Sequence, residues 1–210
     1  MKTLMVLTLL ALFVIAAAAQ TSDDRPKNEL SVWGGFAPAV RTFGPVGGRT
    51  WDAQYGMAAL RYSRRFNNSD WLNIKYTLDA IPVAVLHYPD RIITQTGPNT
   101  VRVDPVKETK YAFGGSPFGL QFNFRPKKKL QPFLALSLSA LIFNKTTPND
   151  LGQRLNFGSE GGAGVEYRLS NKKAVTFGYK WYHISNASRG EINPGYDGQM
   201  LYLGYTFWGK

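Results

Sequence analysis

No cysteine occurs among the 210 residues, and there are only two histidines, His87 and His183. The first absence removes a disulfide framework and a thiol-linked lipoprotein anchor. The two together leave no convincing metal cluster, and no cofactor is implied. Past the first twenty residues there is no run of 18 apolar residues, which excludes a transmembrane helix there. Capped amphipathic helices are lacking too. Acids are scarce as well, and the imbalance bears on partners.

What is present begins with Lys2, an apolar run from Leu4 to Ile15 and four alanines, Ala16 to Ala19. This is the pattern of a secretory signal cut after Ala19, and the run falls short of the ~20 residues a spanning helix needs. The expected organisation is a signal peptide over 1–19 and one domain over 20–210, the size of a single fold. Without Lys2 the chain carries 24 basic and 14 acidic residues, a net charge of +10 with histidine neutral. The basic residues are scattered singly through strand-like segments and no nucleic-acid motif accompanies them. For an exported protein, anionic lipid is the more economical partner.

After a polar leader over 20–28, aromatic and glycine-rich alternation suggests eight strands, at about 29–38, 50–65, 71–87, 108–125, 131–143, 154–168, 172–186 and 196–208. Connections 66–70, 126–130 and 169–171 are short. Those at 39–49, 88–107, 144–153 and 187–195 are long and rich in Gly, Pro, Asn and Thr. Strict alternation of short and long is how outer-membrane barrels set tight periplasmic turns against long outer loops. The expected fold is therefore all-β, an eight-stranded antiparallel transmembrane β-barrel of the outer-membrane type, in the outer membrane of a Gram-negative-type bacterium. Leu201, Leu203, Tyr205 and Phe207 form a lipid-facing row in the last strand, and Leu134, Leu136 and Leu138 form one in the fifth. Pro82 implies a bend or break in the third strand. A lumen this narrow is filled by side chains, so a porin is disfavoured and Arg61, Glu166 and Lys180 are expected to pair inside it.

His183 and Ser185 share one face of the seventh strand, roughly 6.6 Å apart at about 3.3 Å per residue, near its outer end. Trp181 and Tyr182 beside them suit an interfacial aromatic belt. A serine becomes nucleophilic when a base takes its proton and a third group orients that base. Here Ser185 is the nucleophile and His183 the base. Asp197 is the acid by parity on the neighbouring strand, with Glu191 in the connecting loop ranked second. Asn186 is a candidate oxyanion donor. Arg189, Arg41 and Arg49 are candidates for lipid phosphates, and equally for plain solvated loop charges. Taken alone, His-x-Ser is weak evidence, because a histidine near aromatics is commonly structural.

The segment Phe177-Gly178-Tyr179-Lys180-Trp181-Tyr182-His183-Ile184-Ser185-Asn186-Ala187, then Asn193-Pro194-Gly195 and Asp197, resembles the C-terminal signature of the lipid A 3-O-deacylase (PagL) family. The resemblance implies an eight-stranded barrel with its active site on the lipid-facing wall, hydrolysing the ester-linked acyl chain at position 3 of lipid A in the outer leaflet. Carried over by residue, it makes Ser185 the nucleophile, His183 the base, Asn186 an oxyanion contributor and Asp197 the orienting acid. Aspartate departs from the family's usual glutamate and is one methylene shorter. The chain also ends Phe207-Trp208-Gly209-Lys210 rather than on an aromatic. Two alternatives stay open: a non-catalytic structural or adhesive barrel, and an esterase acting on glycerophospholipids. The sequence also leaves open whether barrels pair as homodimers.

Overall fold

The computed structural model describes residues 26–39, 53–98 and 100–210. The expected signal peptide over 1–19, and Arg41 and Arg49, lie outside the described residues. Eight strands, β1 (Asn28–Ala37), β2 (Gln54–Arg65), β3 (Leu72–Gly97), β4 (Thr100–Phe124), β5 (Leu130–Thr147), β6 (Gln153–Arg168), β7 (Ala174–Ser185) and β8 (Gly195–Gly209), follow in order. They close into one antiparallel barrel in which each pairs with its sequence neighbours and β1 pairs with β8. Closure satisfies every ladder without leaving an edge, which hydrocarbon demands of a spanning sheet.

One connection is corrected. The stretch 88–107 is not a loop but the continuation of β3 and β4, paired from Tyr88↔Glu108 to Gly97↔Thr100. Because β2 stops at Gln54, opposite His87, the last ten or so residues of β3 leave the barrel with β4 as their sole partner among the described residues, a ribbon of about 33 Å at 3.3 Å per residue. Pro89 and Pro105 made this stretch read as loop. A two-stranded ribbon has a free edge on each side, where a residue without an N–H costs no ladder bond. Pro82 bends β3 without breaking it, through register shifts between Ile81 and Ala84 and, on β2, between Ala58 and Leu60.

Alternation sorts the faces as expected. Leu134, Leu136, Leu138, Leu201, Leu203 and Phe207 are exposed on the outer wall. The lumen is filled by a polar network and, toward the long-connection end, by an aromatic plug. Lys75 Nζ lies 2.8 Å from Glu29 and 3.2 Å from Glu166, while Arg168 bridges the same two carboxylates at 2.5 and 2.8 Å. Arg61 holds Asp79 through two bonds of 2.7 and 2.8 Å. Lys180 donates to Glu160 at 2.6 Å and sits 3.7 Å from the centre of the Trp33 ring. Each buried charge thus meets an opposite one, the condition for keeping ions out of water. The plug packs Tyr55 in tilted contact with Tyr182 and Tyr196. Tyr182 is thereby corrected: it is fully buried and bonded to Ser139, so Trp181 alone belongs to the outer face. Glycine at 158 on β6 leaves room for this plug, since a Cβ there would lie 2.7 Å from the Tyr182 hydroxyl oxygen.

Candidate active site

The outward row of β7 runs Val175, Phe177, Tyr179, Trp181, His183, Ser185, and β8 brings Asp197 directly opposite His183. Cross-strand neighbours on one face lie about 4.5–5.5 Å apart at Cβ, within reach of a carboxylate to an imidazole. The contact forms: His183 Nδ1 is 2.9 Å from Asp197 Oδ1, with the imidazole side chain 15% exposed and the carboxylate fully covered. A carboxylate accepts, so the Nδ1 position carries the hydrogen and Nε2 is left with its lone pair free. Glu191, the second-ranked acid, is exposed in the loop after β7.

Two neighbours fix the ring plane. Trp181 stacks on it at 5.9 Å between centroids and 17° between planes. Gly195 also approaches so closely that a Cβ at that position would lie 3.1 Å from His183 Cε1. Ser185 pairs with Gly195 and is half-buried two residues beyond the histidine on the same outer face. Among the described residues no hydrogen bond joins its hydroxyl to the ring. Catalytic contacts of this kind are often long without substrate and tighten when it binds.

The loop after Ser185 is held under backbone strain. Ala187 and Ser188 both adopt left-handed φ, 53° and 58°, which costs an L-residue with a Cβ roughly 1–2 kcal/mol. Three hydrogen bonds impose this shape. The Asn186 N–H donates to Asn193 Oδ1 at 3.0 Å, Asn186 Nδ2 donates to the Ile192 carbonyl at 2.8 Å, and Arg189 N–H donates to the Asn186 carbonyl at 3.2 Å. Asn186 is itself buried, so one of its two amide hydrogens is spent on the loop and one remains. Asn193, present in the quoted signature without an assigned role, is the second clamp. The signal for it was its place before Pro194-Gly195. Arg189 is exposed, with its guanidinium 5.9 Å from the centre of the Phe157 ring opposite Ser185.

The sequence reading also missed a groove of about 750 Å³ on the outer wall beside the histidine. It begins at Ser159 and Trp181, where Ser159 is the cross-strand neighbour of His183, and crosses β5 and β4 to Tyr76 on β3. Phe118 and Leu138 form one bank, Leu120 and Leu136 the other, and Gly161 supplies part of the floor. Its lining is almost wholly apolar, and it is large enough for a flexible chain.

Comparison with known proteins follows this geometry. The family model described as "Lipid A 3-O-deacylase (PagL)" matches residues 27–206. The crystal structure of the outer membrane enzyme PagL superposes with a TM-score of 0.57 at 17% identity, covering 83% of this chain and 97% of that one. The solid-state NMR structure of the outer membrane protein AlkL in lipid bilayers aligns with a TM-score of 0.34 at 10% identity, over 90% of each chain. No curated protein matches. Nothing in these comparisons speaks for a homodimer.

Proposed function

Because the chain belongs to the lipid A 3-O-deacylase (PagL) family of outer-membrane enzymes, we propose that it removes the acyl chain at position 3 of lipid A as a serine esterase using Ser185, His183 and Asp197. The observation that carries this reading is the 2.9 Å contact of His183 with a covered carboxylate, on the same lipid-facing row as Ser185.

With lipid A in the outer leaflet, its glucosamine lies at the long-connection end and its chains run down the wall. Ser185 Oγ attacks the ester carbonyl carbon while its proton passes to His183 Nε2, and Asp197 stabilises the imidazolium that forms. Asn186, whose Nδ2 keeps one hydrogen beyond its bond to the Ile192 carbonyl, is the candidate oxyanion donor. Collapse of the tetrahedral intermediate breaks the bond to the sugar oxygen, which takes the proton from His183 and leaves as an alcohol. Water activated by the same imidazole then opens the acyl-enzyme and releases a 3-hydroxy fatty acid. The apolar groove beginning at Trp181 receives the acyl chain, so its carbonyl arrives beside the serine with its tail already out of water. Arg189 meets a glucosamine phosphate, since guanidinium matches phosphate oxygens in a fork.

Mass spectrometry of lipid A from cells expressing the protein should show loss of one hydroxyacyl group, and Ser185→Ala should abolish that loss. Unchanged lipid A with the wild-type protein, together with fatty acid release from phosphatidylethanolamine, would move the reading to a phospholipid esterase.

A further inference from the structure

The excess of positive charge is not where the substrate is. Inside the lumen, four cations and four carboxylates cancel: Arg61, Lys75, Arg168 and Lys180 against Glu29, Asp79, Glu160 and Glu166. Among the described residues of the long-connection end basic and acidic residues nearly balance, and Glu108 is shared between Lys110 at 3.2 Å and Lys145 at 2.5 Å. What remains collects at the short-turn end. Lys27 and Lys210 sit at the paired termini, Arg64 and Arg65 close β2, and the β4–β5 turn carries Arg125 followed by Lys127, Lys128 and Lys129. Lys172 and Lys173 complete it in the β6–β7 turn. Among the described residues, Asp70 is the one acidic side chain of this end, and Lys127 lies 2.7 Å from it.

We infer that this rim is a collar that binds the phosphate headgroups of anionic glycerophospholipids in the leaflet opposite the substrate. Three observations carry the inference. The cations stand at all four corners of the barrel end, an annulus that fits a bilayer plane rather than a partner docking on one side. The same turns present exposed apolar side chains, Phe66, Trp71 and Leu169, which mark the depth of a membrane interface. Finally, the turns are short and pinned, with Lys128 N–H on the Arg125 carbonyl at 2.9 Å, Gln131 Nε2 on the Lys128 carbonyl at 3.1 Å and Leu169 N–H on the Lys173 carbonyl at 2.9 Å. Lysines on such turns stay within a stem's length of the apolar band and extend their ammonium groups to the headgroup level. The collar is independent of the hydrolytic site. It holds the barrel at a fixed height and orientation, so that Ser185 meets the opposite leaflet at a constant depth.

The test reconstitutes protein extracted from outer membranes into nanodiscs of equal phosphatidylcholine and phosphatidylglycerol, and counts the lipids retained on release by native mass spectrometry. One lysine near an anionic surface favours binding about fivefold. The wild type should retain phosphatidylglycerol over phosphatidylcholine by at least about fivefold at low salt, and less in 0.5 M salt. K128Q/K129Q/K172Q/K173Q should lower the ratio severalfold while Lys27, Arg64, Arg65, Arg125, Lys127 and Lys210 keep part of it, whereas R102Q on the opposite ribbon should leave it unchanged. Both variants should deacylate lipid A normally in detergent, where no bilayer sets the depth of Ser185, which separates failure of the collar from failure of the esterase. Near-equal retention by the wild type at low salt overturns the inference, and so does a preference that salt does not weaken. Charge-dependent capture of peptidoglycan fragments without lipid preference would assign the rim to a different partner and overturn it equally.

Discussion

Replacing Asp197 by asparagine changes one oxygen for an NH2 in a fully covered position and asks how much of the chemistry depends on the charge. The carboxylate lies 2.9 Å from His183 Nδ1. At about 4 Å between charge centres and an effective dielectric near 20, it stabilises the imidazolium by about 4 kcal/mol. At 1.36 kcal/mol per decade, that is roughly a thousandfold in rate. A second effect adds to it: if the carboxamide donates to Nδ1, the ring hydrogen moves to Nε2, the nitrogen that should accept from Ser185. In the serine protease template the same aspartate-to-asparagine change, charge and tautomer together, costs about 10⁴. We therefore expect Asp197→Asn to lower kcat by 10³ to 10⁴ with little change in KM, because the acid touches no substrate atom. The assay is the initial rate of 3-hydroxy fatty acid release from purified lipid A in detergent, with barrel integrity checked by heat-dependent electrophoretic mobility. A folded variant within tenfold of wild type would refute the role given to this residue.

At Gly161 an added Cβ meets only Leu136 Cδ2, at an ordinary 3.4 Å, so Gly161→Phe should fold and fill the acyl groove. It should cut kcat/KM for lipid A more than tenfold while sparing hydrolysis of a short-chain ester, and equal losses on both substrates would argue against the groove. Glu166→Ala leaves Lys75 and Arg168 short of a partner in the lumen, and removing one member of a buried ion network costs about 3–5 kcal/mol. The urea unfolding midpoint should fall accordingly, and an unchanged midpoint would show that the network contributes no net stability.

The barrel was legible because two signals agreed: side chains alternating with a period of two, and turns alternating short and long. Both follow from a closed sheet between lipid and a packed lumen. The ribbon over 88–107 was not legible, since its prolines, together with Gly97 and Pro98, are the same residues that build loops, and only the register of β3 on β4 shows them to be edge positions. Parity placed His183, Ser185 and Asp197 on one outer row, and it would have assigned Tyr182 correctly had parity been preferred to aromatic character. The groove stayed hidden because its banks come from two strands, β4 and β5, and its floor from small residues that carry no sequence signal. The basic rim was read as scattered for the same reason: residues 27, 64, 128, 172 and 210 become neighbours only when the barrel closes.

The central claim is tested most directly by treating the purified, folded protein with a fluorophosphonate probe and mapping the adduct by peptide mass spectrometry. The account predicts a single modification on Ser185, reduced to background in His183→Ala. A preparation that deacylates lipid A yet carries no adduct at Ser185 would contradict it.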